Sequence, residues 1–142
     1  MKEEIIIGCD HAGFDLKQGL MKVLEGFEIT DVGTHSDESC NYADFAHELA
    51  EKISKGEIKR GILICGSANG VSMTANKHRN VRSSVCWTKE IAELARLHND
   101  ANVLALPARF ISVELAKEIV NTFLNTEFEG GRHERRVNKI NA

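Results

Sequence analysis

The feature that most constrains the fold is an alternation of short apolar runs with segments of helical periodicity. The apolar runs cover residues 4–9, 28–32, 61–65, 82–87 and 102–106. Between and after them, apolar residues recur three or four positions apart, which is typical of helices. These segments are 14–24, 42–53, 72–77, 90–97 and 112–124, followed by a short basic segment at 133–140. The alternation predicts a doubly wound, Rossmann-like α/β fold whose five-stranded parallel sheet has helices on both faces.

Composition narrows the class of protein further. With 142 residues, of which 42% are hydrophobic, the chain fits one domain spanning 1–142. The formal net charge of −3 argues against a nucleic-acid partner, which usually requires a basic face. The apolar stretch near the N-terminus is too short for a signal peptide or a membrane span. We therefore expect a cytoplasmic protein without a membrane partner.

The four cysteines are widely separated and include no C-x-x-C pair. This spacing disfavours a cysteine-based zinc site or a disulfide framework. In a reducing compartment we expect free thiols. Cys9 and Cys86 lie in apolar runs and are interpreted as core residues, and Cys40 as an ordinary loop thiol.

Two polar turns follow the first and third predicted strands. They are Cys9-Asp10-His11 and the loop from Cys65 to Gly70. In a flavodoxin-like strand order 2-1-3-4-5 these turns meet at the switch point, where ligands bind beyond the strands' carboxyl ends. We expect the segment His98-Asn99-Asp100 and the side chain of Arg109 to reach the same edge.

The loop from Cys65 to Gly70 is rich in small residues and opens into a helix. Its successive N–H groups can form a concave nest for a phosphate or an oxyanion. The loop matches neither the Walker A nor the G-x-G-x-x-G pattern, so a dinucleotide cofactor is not indicated. A Cys-x5-Arg phosphatase loop is excluded because Val71 occupies the arginine position. Cys65 fits equally well as a catalytic thiol, with a pKa lowered by the helix N-terminus, or as a core cysteine.

Each remaining candidate also has a structural interpretation. Asp10 can orient a hydroxyl or His11, or simply cap the next helix. His98 ends a helix and can act there as a C-terminal cap. Arg132 and Arg136 are four residues apart, so they share a face if their segment is helical. Their guanidinium forks suit a phosphate, although a solvated run of charges explains them as well.

The motifs together resemble a known family. Matching stretches run through nearly the whole chain in the expected order. They are Gly8-Cys9-Asp10-His11-Ala12-Gly13-Phe14, Gly61-Ile62-Leu63-Ile64-Cys65-Gly66-Ser67, Ala75-Asn76-Lys77, His98-Asn99-Asp100-Ala101-Asn102-Val103-Leu104-Ala105 and Glu129-Gly130-Gly131-Arg132-His133-Glu134-Arg135-Arg136-Val137. On these stretches the chain resembles the type B ribose-5-phosphate isomerases, relatives of the galactose-6-phosphate and allose-6-phosphate isomerases.

The resemblance implies an aldose–ketose isomerisation through an enediol(ate), without a metal or an organic cofactor. It implies that Cys65 moves the proton between C1 and C2. Some family members use a glutamate just past the loop instead, but that position here is Val71. The implied oxyanion donors are loop N–H groups, including those of Gly66, Ala68, Asn69 and Gly70. Ser67 and His98 would assist ring opening, Asp10, Tyr42 and Asn99 would contact the sugar, and His11, Arg109, Arg132 and Arg136 would hold the phosphate.

The resemblance also implies a homodimer or tetramer in which each site is completed across the interface. The implied substrate is ribose 5-phosphate of the pentose phosphate pathway, with a hexose 6-phosphate as the alternative. A non-catalytic phosphate-binding module on the same fold is a further alternative. A phospho-receiver domain would need an aspartate where Cys65 stands. The family loop usually has a glycine at Ala68, and if the backbone φ is positive there, alanine costs about 1 kcal/mol.

Overall fold

A computed structural model describes residues 2–141, so Met1 and Ala142, the ends of the predicted domain, lie outside it. The strands are β1 Glu4–Cys9, β2 Glu28–Asp31, β3 Arg60–Cys65, β4 Ser83–Val85 and β5 Val103–Pro107. The helices are α1 Phe14–Leu20, α2 Tyr42–Ser54, α3 Asn69–Ala75, α4 Lys89–Asn99, α5 Val113–Asn125 and α6 Arg132–Ile140. The 3-10 turn His11–Gly13 leads from β1 into α1. The predicted alternation is confirmed, but α1 ends earlier than predicted, because residues 21–26 form successive turns instead of continuing the helix.

The five strands form one parallel sheet, as predicted, but their order is β2-β1-β3-β5-β4. The predicted order 2-1-3-4-5 is therefore wrong at its end. Every residue of β5 is buried, whereas β4 has three partly exposed residues, Ser83 to Val85. A short polar strand is tolerated at an edge, and an apolar strand belongs inside the sheet. The switch point between β1 and β3 is unaffected by this exchange.

Two apolar cores lie on opposite faces of the sheet. One core joins alternate residues of the central strands to α1, α4 and α5, with Phe123 and Leu20 fully buried in it. The other joins the intervening strand residues to α2 and α3, through Leu49 and Val71 among others. Because side chains alternate along a strand, Cys65 faces the α2 and α3 side, whereas Ile64 faces the other. Among residues 2–141, none of the helices has the length and apolar character that a bilayer crossing requires.

A partly buried ion pair fixes the loop after β2. The side chain of Lys17 is fully buried, and its Nζ lies 2.9 Å from the carboxylate of Asp31. The same ammonium donates to the carbonyl of Thr34, and the N–H of Thr34 donates to the carbonyl of Cys9. The loop that leads to Cys40 is thus held against the carboxyl end of β1.

Candidate active site

A cavity of about 320 Å³ opens at the carboxyl ends of β1 and β3, at the switch point of the sheet. Its lining comes from the turn after β1, the loop after β3, the start of α2 and the segment after β5. The lining residues are Asp10, His11, Ala12, Tyr42, Cys65, Gly66, Ser67, Gly70 and Arg109. Eight of the fourteen site residues predicted from the sequence therefore meet here. A larger cavity of about 700 Å³ lies elsewhere, so the chemistry of the lining, rather than its size, marks this one as the candidate site.

The loop after β3 and the segment after β5 are tied together by backbone hydrogen bonds. Ala108 donates its N–H to the carbonyl of Cys65 at 2.9 Å, and Arg109 donates to that of Gly66 at 3.1 Å. A Cβ placed on Gly66 would lie 3.2 Å from Nη1 of Arg109. The exposed guanidinium therefore covers Gly66, beside the thiol of Cys65.

Cys65 ends β3, and only 5% of its surface is exposed. Its Sγ accepts the N–H of Ala68 at 3.1 Å. Burial raises the pKa of the thiol, and the negative charge of Asp10 raises it further, while N–H groups of Val71, Ala68 and Ser67 oppose the rise. The helix N-terminus, which can lower the pKa of a cysteine, does not do so here in the free site, because desolvation of the sulfur outweighs the N–H groups at the start of α3.

Ala68 occupies the N-cap position of α3 with φ 65° and ψ −2°, in the left-handed region. The positive φ suspected from the missing glycine is confirmed. A non-glycine residue costs about 1–2 kcal/mol in this conformation. Burial of the Ala68 methyl group in the core beside Val71 offsets part of that cost, at about 0.8 kcal/mol per methyl-sized group. The conformation directs the N–H of Ala68 back towards Sγ of Cys65.

The loop's N–H groups are only partly free for a ligand. The N–H of Ala68 is used by Cys65, and that of Asn69 donates to Oγ of Ser67 at 3.3 Å. Neither Ala68 nor Asn69 lines the cavity of the free site, and the part of their N–H groups in an oxyanion nest stays a prediction. Gly70 does line the cavity, and the ring of Tyr42 lies against Gly70, since a Cβ there would collide with Cε1 of that ring.

Asp10 and His11 lie in the turn after β1. Oδ1 of Asp10 accepts the N–H of Gly13 at 3.1 Å, so this carboxylate caps the turn and also lines the cavity. Nδ1 of His11 accepts the N–H of Cys40 at 3.3 Å. An Nδ1 that accepts a hydrogen bond carries no proton, which leaves the proton of the neutral imidazole on Nε2. His11 can therefore offer an N–H donor to a bound anion.

The remaining predicted residues lie at the opposite edge of the sheet. His98 and Asn99 end α4, directly before β5 begins, so they lie at the amino end of the strands. The N–H of Gly61, at the start of β3, donates to the carbonyl of Asn102 nearby. β3 spans the sheet between these edges, a length of about 16 Å at 3.3 Å per residue. The expectation that His98-Asn99-Asp100 joins the Cys65 edge within one chain is therefore wrong.

Arg132 and Arg136 also lie apart from the Cys65 cavity. They lie on α6, which is helical as their spacing required, and both are exposed. α6 packs on α4, and its His133 ring stacks on that of His98, with centroids 4.2 Å apart. The C-terminal end of α6 lies near the start of β4, since Oδ1 of Asn141 accepts a hydrogen bond from Arg82. His98, Asn99, Arg132 and Arg136 thus form a second group, apart from the Cys65 cavity.

Sequence reasoning missed three residues that shape these groups. The N–H of Cys40 orients His11, a backbone role that no side-chain pattern reveals. Arg96 is buried and donates to the carbonyls of Thr126 and Ala101, so it ties α4 to the segment after α5 and to the segment before β5. His133 was interpreted as part of a basic tail, yet it is 6% exposed and packs under His98. Val137 is apolar and lies four residues after His133, and this spacing could have indicated that both face the interior from one side of the helix.

The fold and the cavity define a class of protein. A doubly wound sheet that gathers a thiol, a carboxylate, an imidazole and a guanidinium at its switch point is an α/β protein with a site for a small anionic ligand. Within this class, residues 5–140 match the family model described as Ribose/Galactose Isomerase. The chain belongs to the ribose/galactose isomerase family.

Individual relatives are similar over almost their whole length. Ribose-5-phosphate isomerase B of Escherichia coli is 44% identical over 142 residues, covering 99% of this chain and 95% of the relative. A crystal structure of a ribose 5-phosphate isomerase from Thermotoga maritima superposes with a TM-score of 0.94 at 47% identity, covering 98% and 97% of the two chains. The Mycoplasma genitalium ribose-5-phosphate isomerase B, solved with bound ribulose-5-phosphate, has a TM-score of 0.94 at 41% identity, with 99% and 95% covered.

Proposed function

We propose that the chain is an aldose–ketose isomerase that interconverts ribose 5-phosphate and ribulose 5-phosphate. Support comes from the family, from similar proteins named ribose-5-phosphate isomerase B, and from the bound ribulose-5-phosphate in the Mycoplasma genitalium relative. The single observation that carries the proposal in this chain is the thiol of Cys65 beside Asp10, Ser67 and Arg109 in one cavity.

We propose Cys65 as the general base. In the aldose-to-ketose direction its thiolate takes the proton from C2, the C2–H electrons form the enediol(ate) double bond, and the carbonyl oxygen at C1 takes the charge. The proton of the O2 hydroxyl then passes to O1. The double bond takes the proton of the thiol at C1 while the electrons left on O2 form the C2 carbonyl, which gives the ketose and regenerates the thiolate. N–H groups around the sulfur, that of Ala68 at 3.1 Å among them, stabilise the thiolate. Val71 is 1% exposed and apolar, so it offers no alternative base.

The other cavity residues fit the binding of the sugar phosphate. The Nε2 proton of His11 and the exposed guanidinium of Arg109 are donors suited to a phosphate dianion. Asp10 can accept from a sugar hydroxyl, and Ser67 can donate to a sugar oxygen. Tyr42 covers Gly70 at the rim and, since it is 43% exposed, can shift as the ligand enters.

A second copy of the chain would complete the site. His98 and Asn99 lie at the amino end of the strands, and β3 alone separates that end from the Cys65 edge by about 16 Å. Arg132 and Arg136 lie on α6, which packs on the same helix α4. We propose a homodimer, alone or within a tetramer, in which a neighbour brings His98 for ring opening and the two arginines for the phosphate. A two-fold interface makes both sites equivalent, each drawn from both chains. The enzyme would act in the cytoplasm, in the pentose phosphate pathway.

Replacing Cys65 tests the assigned base. Cys65→Ala should lower kcat with ribose 5-phosphate by about 10²–10⁴-fold, the usual contribution of a general base, because no other thiol lines the cavity. The matched control is Cys86→Ala, which removes a buried thiol of the opposite core. Turnover of ribose 5-phosphate, allose 6-phosphate and galactose 6-phosphate should be measured for each variant. Full activity in Cys65→Ala would remove Cys65 as the base, and a preference for a hexose 6-phosphate would correct the substrate.

A further inference from the structure

Two histidines and a glutamate converge where α4 ends and α6 begins. Ligand atoms of His98, Glu129 and His133 all lie within 4.8 Å of one another. Nε2 of His133 lies 3.9 Å from Oε1 of Glu129. Within residues 2–141 this Nε2 is also the one buried side-chain N or O atom that has no hydrogen-bond partner. A buried donor or acceptor without a partner is destabilising, and a ligand bound at this nitrogen would remove that cost.

We propose that His98, Glu129 and His133 form a binding site for a divalent transition-metal ion of the Zn²⁺ type, and that the bound ion inhibits the enzyme. Two imidazole nitrogens and one carboxylate oxygen form a ligand set that zinc accepts, with a fourth position left to water. Imidazole ligands select zinc and its neighbours over Mg²⁺ or Ca²⁺, which prefer oxygen. The site uses no cysteine and differs from the cysteine-based zinc site that the sequence argued against.

The three side chains need only a small adjustment to bind an ion. Ligand atoms around a tetrahedral zinc are about 3.4 Å apart, given metal–nitrogen bonds near 2.0–2.1 Å. The rings of His98 and His133 now lie nearly parallel, at 15°, so their nitrogens do not yet point at a common centre. His133 is buried, whereas His98 is partly exposed and Glu129 is exposed. Coordination therefore requires a turn of the His98 ring and a rotamer change of Glu129 around a fixed His133.

The charges around the three side chains are mixed. The carboxylate of Glu129, whose Oε1 lies 3.9 Å from Nε2 of His133, would partly offset the charge of a metal ion. Arg132 and Arg136 carry the same sign of charge as a cation, but both are exposed, so water screens their repulsion.

Inhibition follows from the part assigned to His98, and this step rests on the proposed function. An imidazole that coordinates an ion cannot exchange a proton with a sugar ring oxygen. The ion would also turn His98 away from the orientation that the stack with His133 sets. Metal binding itself requires no activity, so the site and its effect on turnover can be tested separately.

The site is tested by titrating the chelator-treated full-length protein with Zn²⁺ in a calorimeter, and with Co²⁺ by its visible absorption. We expect one ion per chain. Loss of a residue that only hydrogen-bonds to a metal ligand typically weakens metal binding about 10–100-fold. Loss of a direct ligand, in Glu129→Gln or His133→Asn, should therefore weaken zinc binding at least as much. Glu129 is exposed, so Glu129→Gln should fold even if His133→Asn does not. Zn²⁺ should slow wild-type turnover at the concentration at which it binds, and EDTA should restore it.

Two control variants separate this site from other surface ligands. His78→Asn breaks the exposed His47–His78 pair, whose ring nitrogens are 2.7 Å apart, and Cys40→Ser removes a partly exposed thiol. We expect unchanged zinc binding in both. Absence of binding to the wild type, or loss of binding only in His78→Asn or Cys40→Ser, would overturn the proposed site. Binding at the site without any effect on turnover would overturn the inhibition and leave the isomerase assignment untouched.

Discussion

The sulfur of Cys65 is subject to two opposing influences at the scale of a single residue. Burial penalises the thiolate, while N–H groups at the start of α3 favour it, and burial is the stronger influence in the free site. A base of this kind is mostly protonated at neutral pH and works through its small ionised fraction. Desolvation also makes the ionised fraction more reactive, since a poorly solvated thiolate has less hydration to lose.

The pH dependence of kcat/KM should report this balance. A thiol whose pKa is raised loses its proton only above the usual range of a cysteine, about 8.5. We therefore predict that kcat/KM for ribose 5-phosphate rises about tenfold per pH unit from pH 7.5 upward. It should reach no plateau below about pH 8.5, the usual pKa of a cysteine. Starting at pH 7.5 avoids the second ionisation of the phosphate, near pH 6. A plateau at pH 7, or the same slope in Cys65→Ala, would contradict the assignment.

At the scale of elements, most boundaries follow from periodicity and glycine positions, and β1 agrees with its prediction at both ends. The correct strand order could have been predicted from the sequence by comparing the polarity of β4 with that of β5. β4 contributes Ser83 and Ser84 where β5 contributes Leu104 and Ala105, which marks β4 as the edge strand. The early start of α3 could not be predicted, because it depends on Ala68 adopting a positive φ.

The turn after β1 approaches β3 so closely that only glycine fits at position 13. A Cβ on Gly13 would lie 2.7 Å from the carbonyl oxygen of Ile64, a backbone atom near the carboxyl end of the central strand. We predict that Gly13→Ala lowers the free energy of unfolding by about 1–3 kcal/mol, the usual cost of overpacking, and raises KM by displacing Asp10 and His11. Urea unfolding and steady-state kinetics measure the two effects.

Gly26→Ala is the matched control for this prediction. Nothing lies within 4 Å of a Cβ at Gly26, and its φ is not in the left-handed region. Because alanine restricts the unfolded chain more than glycine does, this variant should be neutral or gain up to about 1 kcal/mol. Equal losses in the two variants would refute the close approach of the turn to β3.

At the scale of the whole molecule, the candidate site is divided into two groups. Motif reasoning identified residues of both groups, because each residue type suits the chemistry of a sugar phosphate. It could not divide them correctly, since that requires knowing at which end of a strand each segment lies. His98 precedes β5 instead of following it, so it lies at the amino end of the strands and not at the Cys65 end. In the proposed mechanism, residues of the two groups therefore meet through a second copy of the chain.

Subunit complementation tests this account most directly. Cys65→Ala and His98→Asn should each be nearly inactive alone. If equimolar chains are refolded together, half the two-fold dimers are hybrids, and one site of each hybrid has both residues, so activity should recover to about a quarter of wild type. Cys65→Ala mixed with Arg109→Ala is the control, because both changes affect the same cavity and every site stays damaged. Recovery in the first mixture alone is the predicted result, and a first mixture no more active than its separate components would contradict the account.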